Sequence, residues 1–205
     1  MLFSNTYQEI KSPTKGKYNE KGSKFIGYAF PVYSEKEVKD KLQEIKKTEQ
    51  SANHYCYAFI LHPDKSASRF NDDGEPSSTA GRPILSIIQS KNLTNILIIV
   101  VRYFGGVKLG IPGLIRSYKK TALISIENGE VITKNIRELH EVAFKYTHMN
   151  YVMTTIKKYD AEIIKTNSSE KDCKIIFAIK YNNSDEVMKI FKKNHELHLK
   201  YIKTI

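Results

Sequence analysis

Ile96–Val101 is the longest purely apolar run in the chain, and Arg102 follows it directly. A run this short and apolar on both faces predicts a buried strand. Behind it lies a glycine-bearing loop, Gly105-Gly106-Val107-Lys108-Leu109-Gly110, and then an amphipathic segment opened by Pro112-Gly113. In that segment Leu114, Tyr118, Ala122 and Ile126 recur every fourth residue, with Ile115 and Leu123 widening the stripe, until Asn128-Gly129 supplies a helix stop. The unit reads as strand, tight loop, helix. Upstream, Asn5–Lys24 is polar and basic, an arm or an edge hairpin turning near Gly16 or Gly22. Phe25–Val32 suits a strand. Ser34 and Glu37 form a capping box that opens a helix with Val38, Leu42 and Ile45 on its buried face. Tyr55–His62 is apolar on both faces and reads as a central strand. Pro83 is tolerated in the first turn of a further helix, whose buried face is Ile84, Leu85 and Ile88 and which ends near Lys91-Asn92.

Ile132–Leu139 reads as a linker or strand end, placing a domain boundary near Arg137. Thereafter the pattern is strand (His140–Thr147), helix (His148–Tyr159, with Tyr151, Val152, Ile156 and Tyr159 on one side), strand (Ala161–Thr166), turn (Asn167-Ser168-Ser169), strand (Cys173–Tyr181), helix (Asp185–Asn194) and strand (Leu197–Ile202). The order β-α-β-β-α-β is that of a ferredoxin-like domain, a scaffold that carries many functions. Met149, Met153 and Met188 are expected in its core. The fold class is α+β, with domains 1–137 and 138–205.

Composition adds a charge prior. The net charge is +11, and it is uneven: residues 1–137 hold 21 Lys/Arg against 13 Asp/Glu, residues 138–205 hold 12 against 9. Such a balance favours acidic partners such as RNA, the ribosome or phosphorylated ligands. The two cysteines, Cys56 and Cys173, fall in different domains and form no disulfide framework, which suits a reducing cytoplasm. The N-terminus lacks the apolar core of a signal peptide, and the longest apolar run is far too short to span a membrane.

Two stretches carry candidate chemistry. The glycine loop, flanked by Arg102, Lys108 and Arg116, can present backbone N–H groups to an anion; equally, its glycines can serve only close packing. It is neither a P-loop, since Gly110 is followed by Ile111-Pro112, nor a dinucleotide fingerprint. Asn71–Pro83, NDDGEPSSTAGRP, clusters Asp72, Asp73 and Glu75 around Gly74. Those carboxylates can hold Mg²⁺ or pair with the cations of the loop, and Ser77, Ser78 and Thr79 with the helix start can take a phosphate. An Asx-type turn with helix caps uses the same residue types. His54, Cys56 and His62 fall on one strand face, but their spacing supports neither a nucleophile pair nor a zinc set, and structural roles are expected. His195 and His198 have no partners with metal spacing.

DDGEPSSTAGRPIL and VVRYFGGVKLGIPGLIRSY together resemble the signature segments of the YigZ/IMPACT family, with NHYCYAF and GSKFIGYA similar to its shorter segments in the same order. Ser78, Val101, Pro112 and Ser117 stand where the family usually has Gly, Thr, Gly and Ala. The resemblance implies an N-terminal α/β domain of βαβ character like the second domain of ribosomal protein S-five. It also implies a C-terminal ferredoxin-like domain similar to the last domain of elongation factor G. The eukaryotic relatives share the N-terminal domain and moderate stress control of translation initiation by competing with a kinase for its activator. No catalytic residue, metal or cofactor carries over. The signature positions Asp72, Asp73, Gly74, Glu75, Thr79, Gly81, Tyr103 and Phe104 are expected as a surface, beside an anion- or RNA-binding set of Arg82, Arg102, Lys108, Arg116, Gly105, Gly106 and Gly110. The expected function is a non-catalytic, translation-associated regulator that binds RNA, the ribosome or a translation-control protein. The alternative is an enzyme acting on a phosphorylated or anionic small molecule with Mg²⁺, for which no clear nucleophile is present.

Overall fold

The computed structural model describes residues 5–169 and 172–205. It divides into two compact units, one of Tyr7–Lys134 and one of Asn135–Ile205 joined by the residues just before Tyr7.

The first unit is built on a five-stranded sheet of order β2-β3-β6-β4-β5, from β2 (Thr14–Glu20), β3 (Ser23–Pro31), β4 (His54–Leu61), β5 (Ala67–Asn71) and β6 (Ile96–Tyr103). Every neighbouring pair is antiparallel, so β3 and β4 run parallel to each other on either side of β6 and α1 (Glu35–Thr48) crosses between them. The predicted apolar run therefore holds the centre. All six side chains from Ile96 to Val101 have no solvent exposure, and at roughly 1.5–3 kcal/mol each they are a large share of the driving force. Alternate residues serve two cores. Ile96, Ile98 and Val100 pack with Cys56, Ala58 and Ile60 under α2 (Gly81–Ser90) and α3 (Gly110–Glu127), while Leu97, Ile99 and Val101 pack with Tyr28, Phe59 and Val38 under α1.

The basic N-terminal stretch is the hairpin rather than an arm. Lys21 and Gly22, both at positive φ, form the two-residue turn between β2 and β3. Only half of the expected capping box forms. The Ser34 hydroxyl accepts the Glu37 N–H, but the Glu37 carboxylate accepts from the Ser34 hydroxyl and the N–H of Tyr33, not from the N–H of Ser34. The stretch read as a linker is strand on both sides, β7 (Val131–Asn135) pairing with β1 (Thr6–Ile10) and β8 (Arg137–Lys145) entering the second sheet.

In the second unit, β8, α4 (Met149–Lys158), β9 (Glu162–Ser168), β10 (Asp172–Lys180), α5 (Tyr181–Lys192) and β11 (His198–Thr204) give an antiparallel sheet of order β11-β8-β10-β9. This is the ferredoxin-like order. Cys173, Ile175, Phe177 and Ile179 alternate into its core against Val152, Ile156, Val187 and Phe191. Two expected core residues of α4 lie at the surface instead: Tyr151 and Met153 are both exposed, because the helix turns Val152, Thr155 and Ile156 inward.

Candidate functional site

The acidic stretch is a turn whose carboxylates are spoken for. Asp73 and Gly74 both have positive φ and the Glu75 N–H donates to the Asp72 carbonyl at 2.9 Å, the arrangement a type I′ turn requires. The Asp72 carboxylate accepts from the backbone N–H groups of Ser78 (2.9 Å), Ala80 (3.0 Å) and Gly81 (2.8 Å). It thus caps α2 from outside the helix and fills the place of a side-chain cap at Ala80. Asp73 accepts the Tyr55 N–H at 2.7 Å through its carboxylate, and its carbonyl lies 2.8 Å from Nδ1 of His54. The hydroxyl of Thr79 donates to the Pro76 carbonyl.

Glu75 and Arg102 lie inside the molecule. Their side chains are 3% and 7% exposed, and Arg102 Nη1 donates to Glu75 Oε1 at 2.7 Å. Glu75 Oε1 also accepts from the Tyr118 hydroxyl at 2.7 Å, and that hydroxyl lies 3.3 Å from Cys56 Sγ. Sγ is 3.0 Å from the Asp72 carbonyl, so its single proton serves one of two acceptors. The Arg102 guanidinium sits 5.6 Å from both the Phe25 and Phe104 ring centres, with Nη2 reaching the Ser23 hydroxyl. Burial, reinforced by the charge of Glu75, pushes the Tyr118 hydroxyl above its ordinary value; burial does the same to the Cys56 thiol. Both therefore stay protonated, and a thiol held this way is no nucleophile. His62, expected on the same strand face as Cys56, lies beyond the end of β4 at φ +68.

These bonds join the two signature stretches, and they do so in the interior. The pairing of a turn carboxylate with a loop cation is Glu75 with Arg102, closing the end of the sheet against α3. Two corrections follow. Arg102 was expected as an anion contact and is instead a buried ion-pair partner. Glu75, Thr79 and Gly81 were expected on a surface and are buried. The glycine loop is tied down by the same logic: the Phe104 N–H donates to Asn53 Oδ1 (2.8 Å) and the Gly105 N–H to Ser23 Oγ (3.2 Å). A Cβ on Gly105 would stand 1.9 Å from the carbonyl carbon of Gly22, so only glycine fits this crossing. Tyr103 donates to the Glu49 carboxylate at 2.5 Å and is pushed up to about 12 by that bond and by burial.

What remains exposed is Arg82, Lys108, Arg116, Asp72 and Asp73 in part, Gly74, Gly106, Gly110 and the Phe104 ring. Arg116 lies 3.5 Å from Glu20 with 63% of its side chain exposed; Arg82 and Lys108 have no carboxylate partner among the described residues. Arg116 also borders a feature outside the expected site. On the outer faces of α2 and α3, Ile87, Ile111, Pro112, Ile115 and Leu123 floor an open groove of about 570 Å³ rimmed by Arg116, Lys119 and Lys120. Leu123 and Ile115 were assigned to the buried stripe; both sit at its edge and face this groove. The signal was present in the sequence, since Ile111-Ile115 is itself an i, i+4 pair one helical step away from Leu114-Tyr118. Among the described residues no cluster of three or more His, Cys, Asp or Glu could hold a metal ion, and no helix is long and apolar enough to cross a membrane.

A basic two-unit α+β protein, with a buried polar clasp and a cation-rimmed groove on its first unit, is the class that fold and site define. The Impact N-terminal domain model matches residues 21–126. The chain is 30% identical over 154 residues to the IMPACT family member YvyE of Bacillus subtilis, covering 75% of this chain and 71% of that one. It is 30% identical over 106 residues to the Protein IMPACT homolog of Saccharomyces cerevisiae, covering 50% of this chain and 41% of that one. A crystal structure of a hypothetical protein superposes with a TM-score of 0.75 at 23% identity, over 98% of this chain and 99% of that one, and so shares the fold. The chain belongs to the IMPACT family.

Proposed function

We propose that the chain is a non-catalytic binding protein of translation control that engages an acidic partner through the basic outer face of its first unit. RNA, the ribosome and an acidic translation-control protein share the required chemistry. The observation that carries the reading is the division of labour among the polar groups. Every acidic residue of the signature turn is consumed by backbone N–H groups or by Arg102 and Tyr118. Arg82, Lys108, Lys119 and Lys120, by contrast, stand exposed with no carboxylate beside them among the described residues. Asp72, with three N–H groups on its carboxylate, and the buried Glu75 are committed in this way, and the loss of both from any carboxylate cluster weighs against the enzymatic reading. The link to translation rests on family membership.

The test is cosedimentation with ribosomes at two salt concentrations. A contact made by five cations loses roughly several hundredfold in affinity between about 50 and 200 mM salt. Alanine at Arg82, Lys108, Arg116, Lys119 and Lys120 together should abolish cosedimentation and flatten that dependence. Ribosome or partner binding that is unchanged in this variant would sink the assignment of the face.

A further inference from the structure

The groove on α2 and α3 is the surface with the most to say about the partner. α3 is an 18-residue helix with two apolar stripes. One, Leu114, Tyr118, Ala122 and Ile126, is buried against the sheet. The other leaves Ile111 59% exposed and Ile115 half-buried, with Ile87 of α2 across from them. Helices of a folded unit do not carry a second apolar stripe for solubility. The rim has one sign only: Arg116, Lys119 and Lys120, of which the two lysines have no carboxylate partner among the described residues.

The floor and the rim demand different things of a ligand. A phosphate backbone would satisfy the cations and leave the apolar floor wet. A wholly apolar segment would fill the floor and strand the cations. An amphipathic helix with aliphatic or aromatic side chains at i, i+3/i+4 and i+7, flanked by Glu and Asp, satisfies both at once, and helix-in-groove docking uses this pattern of anchors. Deepening the binding reading above, on which this rests, we propose that the groove docks an amphipathic helical segment of an acidic protein, its apolar face on Ile87, Ile111 and Ile115 and its carboxylates on Arg116, Lys119 and Lys120.

The experiment uses the full chain and fluorescence anisotropy with three labelled probes. The first is a peptide of about 18 residues with Leu on one helical face and Glu on the other. The second is the same peptide with Lys for Glu. The third is an oligouridine of about 20 nucleotides. The acidic peptide should bind, and bind at least about tenfold tighter than its Lys counterpart. Ile111→Ser, at a side chain largely in solvent, should weaken it about tenfold with the melting temperature unchanged, and Ile111→Ser with Ile115→Ser further. Lys119→Ala with Lys120→Ala should weaken it and reduce its salt dependence. Acidic-peptide affinity indifferent to both Ile substitutions overturns the proposal. Oligouridine binding that is lost in the lysine variant and untouched by Ile111→Ser, with no peptide binding, also overturns it while leaving the broader reading standing. If no probe binds and the five-cation variant still cosediments with ribosomes, both fall.

Discussion

Removing Glu75 should cost more stability than any substitution on the exposed basic face. The carboxylate is 3% exposed and accepts two hydrogen bonds at 2.7 Å, from Arg102 Nη1 and from the Tyr118 hydroxyl. In Glu75→Ala the guanidinium stays in the interior with no anion, between two phenyl rings and already lacking a partner for Nε. Stranding one member of a buried pair costs about 3–5 kcal/mol. For a unit of this size that is a fall of about 10–20 °C in Tm. Replacing both partners with apolar residues of similar bulk, Glu75→Leu with Arg102→Met, removes the desolvation penalty along with the attraction. It should recover most of the loss, so that a cycle with Glu75→Leu and Arg102→Met as its single variants gives a coupling energy of about 3 kcal/mol or more. Native-state hydrogen exchange of the β6 amides reads this unit without interference from the second. A loss under about 1 kcal/mol in Glu75→Ala, or single losses that simply add in the double variant, would refute the clasp as a stabilising unit.

Gly105→Ala should lose about 2 kcal/mol or more, since its Cβ meets the Gly22 backbone at 1.9 Å, which chemical denaturation would register. Ser78, at φ +62, stands where the family resemblance places glycine, so Ser78→Gly should relieve about 0.5–1 kcal/mol and raise Tm by a few degrees. Burial opposes ionisation of Glu49, but the Tyr103 and Tyr28 hydroxyls with Lys15 and Lys24 outweigh it and hold its carboxyl below the ordinary 4.5. Its folded value lies below its unfolded one, so its stabilisation is complete above about pH 4.5 and is lost as pH falls through the folded value; the stability difference between wild type and Glu49→Gln should shrink in that acid window, as melting curves taken at pH 7 and about pH 3 would reveal. Cys56 should react with a thiol reagent only as fast as the unit opens, whereas fast labelling of Cys56 in the native protein would contradict its burial and raised pKa.

The elements that periodicity revealed are those with a long apolar pattern. β3, β4, β6, α1, α3 and β10 were all legible because their burial is one-sided helix, two-sided strand or, in β10, strict alternation. The strands that escaped are short and held by context. β5, Ala67–Asn71, is polar enough to read as loop and is recruited by pairing with β4. β1 and β7 exist as each other's partner, with Lys134 and Tyr33 converging on the buried carboxylate of Glu9. The acidic turn showed a different limit. Its residues were legible, and so was their attraction to a cation of the glycine loop, but spacing says nothing about which side of a sheet end such a pair will occupy. Arg102 alternates with Val101 along β6, and the strand register places it opposite Phe25 and His54 under α3. Only the three-dimensional pairing turns a candidate surface into a core.

That inversion changes which substitutions can speak about function. The two long signature strings meet through Glu75, Arg102 and Tyr118, all of them interior. They specify how α2 and α3 seat on the sheet, and the relative seating of those two helices is what creates the groove between Ile87 and Ile111–Ile115. An Arg102→Ala variant that stops binding would therefore report a collapsed support, not a lost contact. Binding in Arg102→Ala should fall in parallel with thermal stability and return with the Glu75→Leu/Arg102→Met pair, which carries no charge at either position. In Lys119→Ala/Lys120→Ala it should fall with stability unchanged. A double apolar variant that folds as wild type yet fails to bind would show Arg102 to be a contact after all, and would move the site from the helix faces to the end of the sheet.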